Sequence, residues 1–157
     1  MRKPIFLATL TALLLLLVLA APVFARVPPQ DVSIVIDTTI IPEQPTFGSF
    51  VASGPAVEAG LFCEDGSASD LFVYGRGWQS GGDFNLFLHK VYLCGDGSGT
   101  ITMQMEVRLV TDGTTTANWV VIGGTGDYEG LHGTGKLAGV PWEGGGGITD
   151  SLTGQLN

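Results

Sequence analysis

Few residues in this chain have the right type and spacing to do chemistry. His89 and His132 are the only histidines. His132 sits in a glycine-rich turn between Leu131 and Gly133, where an imidazole could give or take a proton at a cavity mouth. The plainer reading is a solvated turn residue. His89, with Lys90 beside it in a mostly apolar stretch, reads as an outward polar residue. Asp127 is a further candidate near His132, although Asp127 and Glu129 read first as loop acids. Glu106 and Arg108 share one face of an alternating segment, so they are close enough to touch. On an outer wall such a pair is worth under about 1 kcal/mol. If the apolar face of that segment turned outward into a subunit interface, the same pair would line a cavity. His132, Asp127, Glu106 and Arg108 are thus the catalytic candidates, and they form no convergent acid/base set.

Other chemistries are excluded more firmly. A zinc site needs three or four His, Cys or acid ligands, and only two histidines and two cysteines are present. The similar segments Cys63-Glu64-Asp65-Gly66-Ser67 and Cys94-Gly95-Asp96-Gly97-Ser98 each place a turn directly after a cysteine. A duplicated calcium loop would need six or more oxygen ligands, and these segments are short. No metal and no cofactor are expected. Gly124-Thr125-Gly126 runs into Asp127-Tyr128-Glu129, so the third glycine of a dinucleotide fingerprint is missing. Trp78 and Trp142 lie beside glycine-rich loops and are candidates, with Tyr128, for stacking on a ligand at a rim. Aromatic packing at the end of a fold is the commoner use of such residues. Trp119, at the start of an apolar run, reads as core.

The elements that must position these groups are strands. Ile101, Met103, Met105, Val107 and Leu109 alternate with Thr102, Gln104, Glu106 and Arg108, which gives one dry face and one wet face. Val32, Ile34 and Ile36 begin a similar run. No stretch after residue 26 keeps a helical period. Turns at Gly95-Asp96-Gly97-Ser98-Gly99 and Thr111-Asp112-Gly113 supply the positive φ that hairpins need. The pattern predicts strands near 31–41, 47–53, 57–63, 70–78, 84–94, 100–110, 117–122, 134–140 and 148–156. About eight or nine short antiparallel strands imply an all-β sandwich or a closed barrel. The 24 glycines suit the bends of a small barrel.

The first residues bear on the compartment. Arg2 and Lys3 precede an uncharged apolar run from Ile5 to Ala21, followed by Val23-Phe24-Ala25. That order predicts a secretory signal peptide over 1–25, cleaved after Ala25. The competing reading is a retained anchor, since roughly 20 apolar residues also span a bilayer. Residues 26–30, with Pro28 and Pro29, read as an extended leader, and 31–157 as a single barrel domain. Removing Arg2 and Lys3 from the 7 bases leaves 5 against 15 acids, so the formal charge falls from −8 to −10. Such a charge opposes binding to nucleic acid or anionic membranes. In an exported chain an isolated pair such as Cys63 and Cys94 is expected to be bonded. The bridge closes a loop of about 30 residues, and a redox pair would be spaced C-x-x-C instead.

The segment Trp119-Val120-Val121-Ile122-Gly123-Gly124-Thr125-Gly126-Asp127-Tyr128-Glu129-Gly130-Leu131-His132-Gly133-Thr134-Gly135-Lys136-Leu137 resembles the strand, Gly-Gly-Thr-Gly turn and following strand of the allene oxide cyclase-like and dirigent-like barrels. The resemblance extends loosely from about Phe47 to Leu156, and 119–137 is its specific part. It implies an eight-stranded antiparallel closed barrel with a central cavity, often a homo-trimer. Gly123, Gly124 and Gly126 would allow the tight path of a barrel corner, and Tyr128 and Leu131 would plug the barrel end. Allene oxide cyclases rearrange a fatty-acid epoxide inside the cavity, whereas dirigent proteins steer phenoxy-radical coupling. The dirigent form of the motif usually has Arg where this chain has His132, and neither catalytic set maps here residue by residue.

Three functions follow as expectations. The first is a secreted barrel binding a small apolar or aromatic molecule in its cavity, without turnover. The second is a cyclase or isomerase, and the third a structural or interaction barrel with a filled interior. The first two require a cavity open at one end, of roughly 300 Å³ or more.

Overall fold

The structure, a computed structural model, describes residues 28–41, 46–76 and 83–157. The signal peptide expected over 1–25, the first two residues of the expected leader and Trp78 lie outside the described residues. Eight strands follow one another: β1 (Gln30–Thr39), β2 (Phe47–Ser53), β3 (Asp65–Arg76), β4 (Phe84–Cys94), β5 (Gly99–Leu109), β6 (Thr115–Gly126), β7 (Gly133–Pro141) and β8 (Gly147–Leu156). Each pairs antiparallel with the next, and β1 pairs with β8, so the sheet closes into a barrel.

The strand expected over 57–63 is not formed. Gly54 takes φ 105°, and Pro55 stands at the first position of a one-turn helix, α1 (Pro55–Glu58). Proline is pre-set for that position and lacks an amide that would go unsatisfied there anyway. Helix α1 buries Ala56, and the turn after it buries Phe62. Strand β3 accordingly begins at Asp65, earlier than the expected start near 70.

Alternation along the strands sorts the wall into two faces. In β5 Ile101, Met103, Met105 and Val107 are buried, so the apolar face points inward and Glu106 and Arg108 point out. In β1 Val32, Ile34, Ile36 and Thr38 point inward.

One end of the barrel is plugged. Phe50, Phe62 and Tyr92 meet edge to face, with ring centroids 5.3 to 5.7 Å apart, a favoured aromatic geometry. The Cys63–Cys94 disulfide, with Cα atoms 5.8 Å apart, ties the segment after α1 to the end of β4. Tyr128 and Leu131 are buried at the same end, and the Tyr128 hydroxyl lies 2.8 Å from Ser98 Oγ. Gly124 is required here, because a Cβ on it would overlap the Tyr128 carbonyl. Trp119 is core, as its sequence context predicts; its indole N–H donates to the Lys136 carbonyl at 3.1 Å.

Candidate functional site

Three charged residues keep the phase of the apolar face. Lys90 lies between Leu88 and Tyr92 on the inward side of β4, and Asp150 lies between Ile148 and Leu152 on that of β8. Asp70 follows Ala68 at the matching spacing in β3. Successive side chains of a strand point to opposite faces, so all three must enter the barrel. Lys90 is 3% exposed and Asp150 7%.

The β3–β4 register places Asp70 directly opposite Lys90, and Lys90 Nζ lies 2.6 Å from Asp70 Oδ1. The approach is off the angles of a directed hydrogen bond, so charge compensates that oxygen. The same ammonium lies 4.0 Å from Asp150 Oδ2, on a strand that does not neighbour β4. Lys90 therefore bridges the interior. Thr46 Oγ1 donates to Asp70 Oδ2 at 2.9 Å, and Thr115 Oγ1 donates to Asp150 Oδ1 at a longer 3.3 Å. Gly139 makes room for the latter pair, since a Cβ there would overlap both Thr115 Oγ1 and Asp150 Oδ1.

Two carboxylates thus share one ammonium. Burial raises the Asp150 carboxyl above its ordinary value; Lys90 opposes the shift, and the Asp70 charge adds to it. Burial, reinforced by the charges of Asp70 and Asp150, also pushes the Tyr92 phenol well above its ordinary value, so it stays neutral. Tyr92 OH and Thr38 Oγ1 are buried without a hydrogen-bond partner among the described residues.

Beside this cluster is a cavity of about 380 Å³. Its walls are apolar, with Leu86, Leu88, Met105, Val107, Leu137 and Ile148 prominent, and Thr38 lines it too. On β4 the lining runs from Leu86 through Leu88 to Lys90 and stops there, while Tyr92 belongs to the plug. Asp70 and Asp150 are likewise the deepest lining residues of their strands. The charges form the cavity floor. Among the described residues, the opposite end is rimmed by Ile40, Thr46, Gly113, Gly145 and Gly146 from loops and by Pro141 at the end of β7. A wider depression of about 630 Å³ lies on the outer wall among Glu106, Arg108, Thr116, Asn118 and Lys136. Those side chains are exposed and polar, so it offers a ligand far less desolvation than the interior.

The residues singled out in the sequence lie elsewhere. His132 is exposed near the plugged end, where its backbone exchanges hydrogen bonds with Asn157. Asp127 is exposed in the same loop, and its amide donates to the Ser98 carbonyl. Arg108 pairs with Asp83 on the outer wall, through a 3.0 Å bond from Nε and a shorter one from its terminal nitrogen. Glu106 is on the same wall, so the pair expected between Glu106 and Arg108 is replaced by one to Asp83. Trp142 is 37% exposed and covers Gly147. Its indole donates to Thr149 Oγ1, which donates to Asp37, and it does not line the cavity. Tyr128 belongs to the plug. His89 faces outward against Phe87, as read. Among the described residues, no group of three or more His, Cys, Asp or Glu is placed to hold a metal ion.

A buried carboxylate with only part of a counter-charge has a testable cost. The folded state holds the Asp150 proton more firmly than the unfolded chain does, so charging this group removes stability as pH rises from the ordinary carboxyl range through its raised folded value. Asp150→Asn is expected to have a higher Tm than the wild type near neutral pH. Thermal unfolding across a pH series should show the difference vanishing below the ordinary carboxyl range. A lower Tm for the variant at neutral pH would mean that Lys90 fully compensates Asp150.

No family model matches this chain, and no curated protein matches it.

Proposed function

We propose that this chain is an exported barrel that binds a small molecule with an apolar body and one polar end, without turnover. The observation that carries the reading is the cavity of about 380 Å³ with apolar walls and the Lys90–Asp70–Asp150 floor. Ligand sites are typically apolar clefts of about 300–1,000 Å³ with a few placed polar groups, and this one fits that description. Small barrels stand at the limit where side chains fill the interior or leave room for one ligand. The resemblance of 119–137 to cavity-bearing barrels supports the same reading. So does the disulfide, which suits an oxidising compartment.

Titration with the neutral fluorophore N-phenylnaphthylamine tests it. Saturable binding with a single site is expected. Leu137→Trp, which fills the cavity from β7, should weaken binding at least about tenfold, a loss of about 1.4 kcal/mol. An absence of saturable binding to the folded wild type would remove this function.

One observation favours a second reading, a cyclase or isomerase. An acid with a raised carboxyl inside an apolar cavity is suited to handing a proton to a bound substrate. In that reading Asp150 takes the role, and not His132, Asp127, Glu106 or Arg108, which lie outside the cavity. Single-turnover conversion that disappears in Asp150→Asn would distinguish it from binding alone.

A further inference from the structure

The floor of the cavity is unequal in charge, and this bears on what the polar end of a ligand must be. Asp70 is the carboxylate nearer the cation: Lys90 Nζ stands 2.6 Å from Oδ1, an ion pair without a directed hydrogen bond, and Thr46 Oγ1 donates to Oδ2 at 2.9 Å. Among the described residues Asp150 has only the same ammonium at 4.0 Å and one long hydrogen bond from Thr115. Among the described residues one buried cation thus serves two carboxylates, Asp150 buried and Asp70 partly so. Thr38 supplies a second, independent sign of an unfilled contact. It is 4% exposed and lines the cavity, and its Oγ1 has no hydrogen-bond partner among the described residues. Buried hydroxyls are normally paired. Thr38 is diagonal to Asp150 on the inner wall: across the β1–β8 seam Ile36 pairs with Asp150 and Thr38 with Ile148.

We propose that the ligand's inner end is a protonated amine seated against Asp150 and Thr38, so that the barrel takes lipophilic amines in preference to fatty acids. This inference rests on the binding function proposed above and specifies its ligand class. An ammonium brings three donors and no acceptor. Asp150 Oδ2 and Thr38 Oγ1 are acceptors without a full complement of donors, and the added positive charge balances the floor at two cations and two anions. A carboxylate would be a third anion beside one ammonium that is already shared, and like charges in a desolvated site repel strongly. An alcohol would meet the hydrogen bonds without the charge, and so falls between the two. Gly139 fits the same account: its missing side chain leaves the space that Asp150 and Thr115 occupy.

Octylamine, octanol and octanoate share one chain length and differ only at the polar end. Each would be used to displace N-phenylnaphthylamine from the wild-type protein near pH 7. Octylamine is expected to displace the probe at a concentration at least about tenfold below that of octanoate, with octanol between. Asp150→Asn should weaken octylamine about tenfold and leave octanol within about twofold. Gly139→Ala, which displaces Asp150 without removing its charge, should also narrow the amine preference. Octanoate displacing the probe as well as octylamine, or an amine preference that survives Asp150→Asn, overturns the inference while leaving a binding barrel. Failure of the probe itself to bind overturns both.

Discussion

Lys90→Met is expected to destabilise the protein by about 3–5 kcal/mol, the usual cost of removing one partner from a buried ion pair. The substitution keeps a long apolar stem but leaves Asp70 and Asp150 in the interior with no cation between them. The Asp150 carboxyl, already raised by burial, would lose the charge that opposes that shift, so the loss should be largest at neutral pH and shrink as this group protonates in acid. Urea unfolding at several pH values reads both effects. Lys90→Met combined with Asp70→Asn and Asp150→Asn should recover much of the loss, because replacing a whole buried ion set with neutral groups is often close to neutral. A single-variant cost below about 1 kcal/mol would place the cluster in the range of solvated surface pairs and undo the electrostatic account of the floor.

Opening the disulfide is the other large effect. Cys63 and Cys94 are separated by 31 positions, and in the chain-entropy model a loop of that size is worth about 3–4 kcal/mol. The paired Cys63→Ala and Cys94→Ala variant should lose about that much in urea unfolding, a large part of the 5–15 kcal/mol of a typical domain. The bond also anchors the segment carrying Phe62 against Phe50 and Tyr92, so the variant should expose the plugged end to proteolysis earlier than the rest. A loss under about 1 kcal/mol would show that the aromatic plug holds this end unaided.

The barrel was legible because its signal is repetitive. Ile101 to Leu109 alternates without interruption, and the turn glycines fall where strands end. The segment 57–63 misled because a helix of one turn is too short to display its own period, although Gly54-Pro55 carried the start signal. The floor was legible in principle but not at first sight. Reading His89 as outward already turns Lys90 inward, since adjacent residues of a strand face opposite ways. Leu86, Leu88, Lys90 and Tyr92 form one inward row, and a charge in phase with such a row is the signal to follow. Asp150 beside Lys90 was not legible at all, because their strands are not neighbours and meet only through closure of the barrel. The partner of Arg108 likewise depended on where the chain brings Asp83.

Closure has a kinetic side as well. Every strand pairing joins sequence neighbours except the β1–β8 seam, so seven hairpins can form from local contacts while the seam must wait for the far ends of the domain to meet. Local contacts form early, and distant ones bear the greater loop-closure entropy. Lys90 and Asp70 belong to one hairpin and can pair one to one before the ends meet. Asp150 is carried in by β8, in register with Ile36 of β1. The zipping of the seam is therefore the step that drives an undercompensated carboxylate out of water, and the barrier to folding contains part of that desolvation cost.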